Sequence, residues 1–155
     1  MLDAISRAAK EATIRTTILG ICTAALIGSM TPVLAGDANE VNASLDAMFG
    51  EHQSYHTFFT DLKKAVGGGH KNDVAAMVDY PFLARIDGKA VKIRDAAHFV
   101  ADYDKVVTAQ VVSALHAQAY EDLFVNWQGV MVGDGEIWFA EVGDSGQVKI
   151  TAIND

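Results

Sequence analysis

The chain has 155 residues, 50% of them hydrophobic, and a formal net charge of −8. That length suits a single domain with one core, and an acidic surface without a basic stripe argues against nucleic acid as a partner. Cys22 is the one cysteine, so no disulfide can form within the chain.

Residues 1–35 read as a signal peptide. Arg7, Lys10 and Arg15 precede the uncharged run TTILGICTAALIGSM, and Pro32-Val33-Leu34-Ala35 offers small or branched residues for cleavage before Gly36. This order places the mature protein in the bacterial periplasm or outside the cell. A retained membrane anchor is the alternative, because no charge occurs between Arg15 and Asp37. Lipoprotein processing at Cys22 is disfavoured by the bulky Ile21 before it. Cleavage would remove Cys22, exclude thiol catalysis and leave stability to packing alone. It would also remove three of the twelve basic residues and two of the twenty acidic ones, making the mature chain more negative.

Residues 36–43 read as a flexible, polar lead-in, and a single domain is expected over 44–155. Over 44–66, Leu45, Met48, His52, Tyr55, Phe59, Leu62 and Val66 recur at steps of three and four, which predicts one long amphipathic helix. Gly67-Gly68-Gly69 ends it. A shorter helix is expected from Asn72 or Asp73 through Val74, Met77 and Val78 until Pro81. Residues 82–93 read as a hairpin around Asp87-Gly88, pairing Phe82 with Ile93, Ala84 with Val91 and Arg85 with Ala90. Arg94-Asp95 opens a helical stretch through Phe99, Tyr103 and Val107, and residues 108–119 continue or restart it.

Residues 123–153 carry β-branched and aromatic residues broken at Asp134-Gly135 and at Gly143-Asp144-Ser145-Gly146, the pattern of an antiparallel meander of three or four strands. A turn at Asp134-Gly135 opposes Val132 to Ile137, Met131 to Trp138, Val130 to Phe139 and Trp127 to Val142. A second turn at Asp144-Ser145 opposes Phe139 to Ile150, Trp138 to Thr151 and Ile137 to Ala152. One face then holds Val130, Val132, Ile137, Phe139, Val148, Ile150 and Ala152, and the other Trp127, Met131, Trp138, Val142, Lys149 and Thr151. The fold class expected is α+β, with helices packed on the concave face of a bent antiparallel sheet in the order α-α-β-β-α-β-β-β.

This order resembles the cone-shaped superfamily named after nuclear transport factor two, which includes ketosteroid isomerases, scytalone dehydratase and SnoaL-like cyclases; the likeness spans about 44–153. Leu123-Phe124-Val125-Asn126, Gly129, Met131, Gly133, Gly135-Glu136 and Trp138, with Tyr80-Pro81 and the ending Lys149-Ile150-Thr151-Ala152-Ile153-Asn154, are also similar to small secreted bacterial proteins generally described as of unknown function. The superfamily resemblance implies a pocket between the concave sheet face and the helices. By parity, Asn126, Gln128 and Glu141 would reach its polar mouth, where His52, Tyr55 and Tyr103 could meet them as ligand-binding residues. An enzyme there would use Glu141 as a base, Tyr55 or Tyr103 as a donor and His52 as an alternative proton carrier, as ketosteroid isomerase uses a carboxylate and a protonated donor.

A binding module without cofactor is the reading favoured by the residues, since no spacing spells out a catalytic constellation. The ligand would be a small apolar or amphipathic molecule or a protein partner. His52 and His56 stand four apart, but no third ligand follows in the sequence, so no metal site is expected. His98 and Asp102 read as a surface helix pair. Ser145 sits in a turn without a Gly-x-Ser-x-Gly element, which removes a serine hydrolase. On the second sheet face, Trp127, Met131, Trp138 and Val142 form a candidate interface, and a homodimer through the sheet is common in the resembled superfamily.

Overall fold

In the computed structural model, which describes residues 36–144 and 146–154, the long N-terminal stripe is two helices. The first, α1, spans Ala38–Phe49, and the second, α2, spans Gln53–Gly67. Asp37 caps α1 by accepting from the Asn39 N–H at 2.9 Å, so the helix begins inside the segment expected as a flexible lead-in, and Val41 is buried. Gly50 divides the stripe. Its φ of 87° is a left-handed cap that returns its N–H to the Asp46 carbonyl at 3.0 Å. Glu51 then starts the next helix, its carboxylate taking the Ser54 N–H at 3.0 Å and the Ser54 hydroxyl. Leu45, Tyr55, Phe59, Leu62 and Val66 keep their stripe across the break and are buried, whereas Met48 is half exposed.

Helix α3, Lys71–Ala76, starts one or two residues before the expected cap and ends sooner than expected. Met77 closes it in a helical conformation, and Val78 then pairs with Ile150 in a parallel bridge, with Met77 and Asp79 exchanging backbone bonds with Ile150. Strands β1, Phe82–Ile86, and β2, Lys89–Ile93, form the anticipated hairpin with each expected pair in register. Asp87 and Gly88 both adopt positive φ, as its two-residue turn requires. Helix α4, Ala96–Ala101, is capped by the Asp95 carboxylate on the His98 N–H at 2.9 Å; α5, Tyr103–Val106, follows, and Thr108 caps α6, Ala109–Ala117. The helical stretch therefore restarts at Thr108. A short 3-10 turn over Tyr120–Asp122 leads into the sheet.

The main sheet is an antiparallel meander of β3, Phe124–Asn126; β4, Gly129–Val132; β5, Ile137–Val142; and β6, Gln147–Ile153, in that order. Val130 to Phe139, Met131 to Trp138 and Val132 to Ile137 pair as the turn predicted, and so do Phe139 and Ile150. The register then shifts at a bulge between Trp138 and Phe139, so Ile137 meets Ile153 and Trp138 meets Ala152. The extra residue reverses the parity expected for the end of β6. Ile153 is buried, Thr151 is exposed and Ala152 lies on the outer side.

Residues Trp127 and Gln128 are not in a strand. They form the turn between β3 and β4, where Asn126 pairs with Gly129, so the expected pairing of Trp127 with Val142 does not occur; Val142 meets Gln147 instead. Asn126 Oδ1 accepts from the Gln128 N–H at 2.8 Å and holds the turn. Gly129, at φ 129°, passes so close to β5 that a Cβ there would lie 2.5 Å from the Phe139 carbonyl oxygen.

The fold class is α+β, with helices packed against one sheet face. Phe139 lies at the centre of that contact, its ring 5.0 Å from Phe58, 6.3 Å from Tyr55 and 6.5 Å from Phe59. Val130, Val132, Ile137 and Ile150 surround it on the sheet and are buried. The bulge yields a direct test by urea unfolding. Ile153→Ala is expected to cost about 2–4 kcal/mol and Ala152→Ser under about 0.5 kcal/mol; the reverse order would place Ala152 in the core.

Candidate functional site

The interior expected to hold a pocket is occupied by aromatic rings. Tyr55 reaches over Phe139, stacks on Phe49 at 5.0 Å and accepts a hydrogen bond from the Glu141 backbone N–H at 3.3 Å. Strand β4 begins at Gly129, opposite Ala140, so Glu141 has no β4 neighbour, and the phenol takes the position of the missing acceptor. Burial pushes the Tyr55 hydroxyl up to about 12; the Glu141 and Glu51 carboxylates add to the rise and the hydrogen bond opposes it. A phenol so held stays protonated at neutral pH and has a structural partner.

The other expected site residues do not converge with it. The Glu141 side chain is exposed, and Asn126 and Gln128 are engaged with one another in the β3–β4 turn. The parity that placed Gln128 on the inner face fails because the chain turns there. His52 precedes α2 on the surface, with Nδ1 2.8 Å from Asp46 Oδ1. His56 instead sets its ring against Tyr120 at 4.5 Å, so the two histidines have separate partners. Tyr103 is buried beside Phe99 at 5.9 Å, with Lys71 Nζ 5.1 Å from its ring; burial, aided by Asp104, raises its hydroxyl. Among the described residues no cluster of three His, Cys, Asp or Glu could hold a metal ion.

The helix pair His98 and Asp102 forms as expected, with Nε2 3.3 Å from Oδ2. Lys105 donates to the same carboxylate at 2.8 Å and, with His98, holds Asp102 below the usual carboxylate range. His98 Nδ1 is buried without a hydrogen-bond partner among the described residues. Ser145 and the whole of residues 1–35, including Cys22 and the expected cleavage site, lie outside the described residues.

A different concavity is open. A groove of about 960 Å³ runs between α2, α3 and the outer end of β6. Phe58, Ala65, Met77 and Val148 supply its apolar surface. Glu51, Asp61 and Asp73 face Lys64, His70 and Lys149 around it. Lys149 Nζ donates to the Ala76 carbonyl at 2.8 Å, and His70 Nδ1 lies 3.5 Å from Asp73 Oδ2. These residues were not legible as a site. On α2, Ser54, Phe58, Asp61 and Ala65 form a second stripe beside the core stripe, but its mixture of polar and apolar side chains looks like an ordinary solvated face. The one available signal was a phenylalanine at position 58, off the main period.

A test of the Tyr55 contact follows from linkage. Below pH 10 the phenol is protonated in both the folded and the unfolded chain. Between pH 10 and about 12 the unfolded chain loses a proton that the folded chain keeps, so stability falls as pH rises through that window. Tyr55→Phe is expected to cost about 1 kcal/mol at neutral pH and to lessen the alkaline decline, read by chemical denaturation across pH.

Comparison with family models finds no match, and searches against curated proteins and solved structures return no significant similarity.

Proposed function

We propose that this is an exported binding module, built on the cone-like plan, that holds an amphipathic ligand or a segment of a protein partner in the groove between α2, α3 and β6. The carrying observation is the location of open volume. The interior face is filled by Phe139, Tyr55, Phe58 and Phe59, while the groove outside combines an apolar floor with charged sides. An isomerase-like or dehydratase-like reaction using Glu141 and Tyr55 has weaker support. The tyrosine hydroxyl meets the Glu141 backbone rather than its carboxylate, and apart from tyrosines no polar or charged residue is buried among those described. The arrangement of the N-terminal residues supports export, and the order of the elements supports the superfamily likeness.

A second reading concerns the sheet face that no described helix covers. Phe124, Met131, Trp138 and Ala152 stand opposite one another across all four strands, and Phe124 is 51% exposed. Trp127, at the neighbouring turn, is 80% exposed. An apolar row of this kind favours a two-fold dimer through the sheet, with Val142 at its margin.

Each reading has its own measurement. Thr57→Trp, which fills the groove from an exposed helix position, is expected to weaken binding of the neutral fluorescent amphiphile N-phenyl-1-naphthylamine at least tenfold and leave the melting point within a few degrees. Unchanged binding would overturn the groove assignment. Static light scattering of the purified domain is expected to give a dimer mass that falls toward the monomer in Trp138→Ala. A monomer unaffected by that change would remove the dimer.

A further inference from the structure

Resting on the groove assignment above, we infer that its occupant is an extended polypeptide segment that joins the sheet as an added strand beside β6, docking on the backbone of Val148. The warrant is the direction of the strand's hydrogen-bonding groups. Ile150 donates its N–H to the Met77 carbonyl at 2.8 Å and accepts from the Asp79 N–H at 2.9 Å, so its backbone faces away from β5. Backbone direction alternates along a strand, and Val148, two residues earlier and paired with Glu141 in the same unshifted register, faces the same way. Its N–H and C=O are therefore turned into the groove that its side chain also lines.

Among the described residues the chain's own cover stops short of it. Before Met77 the backbone belongs to α3, and Met77 itself returns its N–H to the Val74 carbonyl at 3.0 Å. Free strand edges are ordinarily blunted by bulges, proline, charge or a covering segment. Here the bulge lies toward the other end of β6, opposite Trp138 and Phe139, and the Lys149 ammonium is drawn to the Ala76 carbonyl. A compact apolar molecule would use Phe58 and Met77 and leave both Val148 backbone groups unpaired. An extended chain satisfies both. Its side chains alternate, so every second one meets the apolar floor while those between reach the mixed rim of Glu51, Asp61, Asp73, Lys64 and His70, which favours charged or polar residues there.

The test uses peptides selected from a displayed library of random dodecapeptides panned on the purified domain. Selected peptides are expected to alternate apolar and charged or polar residues, to bind at least tenfold more weakly when alternate amides are N-methylated, and to slow hydrogen exchange at the Val148 amide at least tenfold. Val148→Pro is expected to weaken them similarly, since an edge position whose N–H points away from its neighbour tolerates proline. N-methylation and exchange need no protein variant, so they decide the matter even if that variant fails to fold. Peptides that lose affinity in Thr57→Trp but are indifferent to N-methylation and leave the Val148 amide unprotected would overturn strand addition and leave the groove assignment standing. Failure to select any peptide, with N-phenyl-1-naphthylamine still lost in Thr57→Trp, would do the same. Indifference of both peptides and amphiphile to Thr57→Trp would overturn both.

Discussion

The packing of α2 onto Phe139 is the contact on which the rest of the structure depends. Three aromatic rings of one helix converge on one strand residue, and such ring pairs each add about 0.5–1.5 kcal/mol beyond the area they bury. Their spacing also decides chemistry. Rings that fill the space between helix and sheet leave no room for a substrate there, and the one hydroxyl among them serves the ladder. The inner sheet face is a joint packed with aromatic rings, and the open groove lies at its flank, where α2 presents its second stripe toward β6.

The fold was largely legible because local rules and burial agreed. The 82–93 hairpin was readable from Asp87-Gly88 and alternating apolar residues, and the β4–β5 pairing from Asp134-Gly135. Three local features resisted. Gly50 was hidden inside a stripe that continues on both sides of it, so periodicity alone suggested one rod where a left-handed cap makes two. The turn at Trp127 and Gln128 has a tryptophan where turns usually carry small polar residues, and the signal lay in the flanking Asn126 and Gly129. The bulge before Phe139 leaves almost no local trace: Thr151 and Ala152 fit either parity, and only the burial of Ile153 chooses between them.

The site was much less legible, for a physical reason. Tyr55 and Glu141 meet through a phenol and a backbone amide, and a parity rule for side chains carries no information about main-chain partners. Tyr103 and His52 stand apart for another reason: Tyr103 lies on its expected helical stretch but packs against Phe99, and His52 falls in the break between α1 and α2 and turns to Asp46. The groove depends on where α3 ends and on which way the backbone of β6 turns. Both are settled by Met77 to Asp79 crossing to Ile150, a contact between segments more than seventy residues apart in the chain.

The hydroxyl bond between Tyr55 and Glu141 spans 86 positions of sequence, and Phe139, at the centre of the core, lies just before its far partner. During vectorial synthesis the aromatic face of α2 has no Phe139 to close on until β5 emerges. Completion of the hydrophobic centre is thus deferred until β5 has been made, and a chain halted before Phe139 leaves Tyr55, Phe58 and Phe59 uncovered, open to chaperones and proteases.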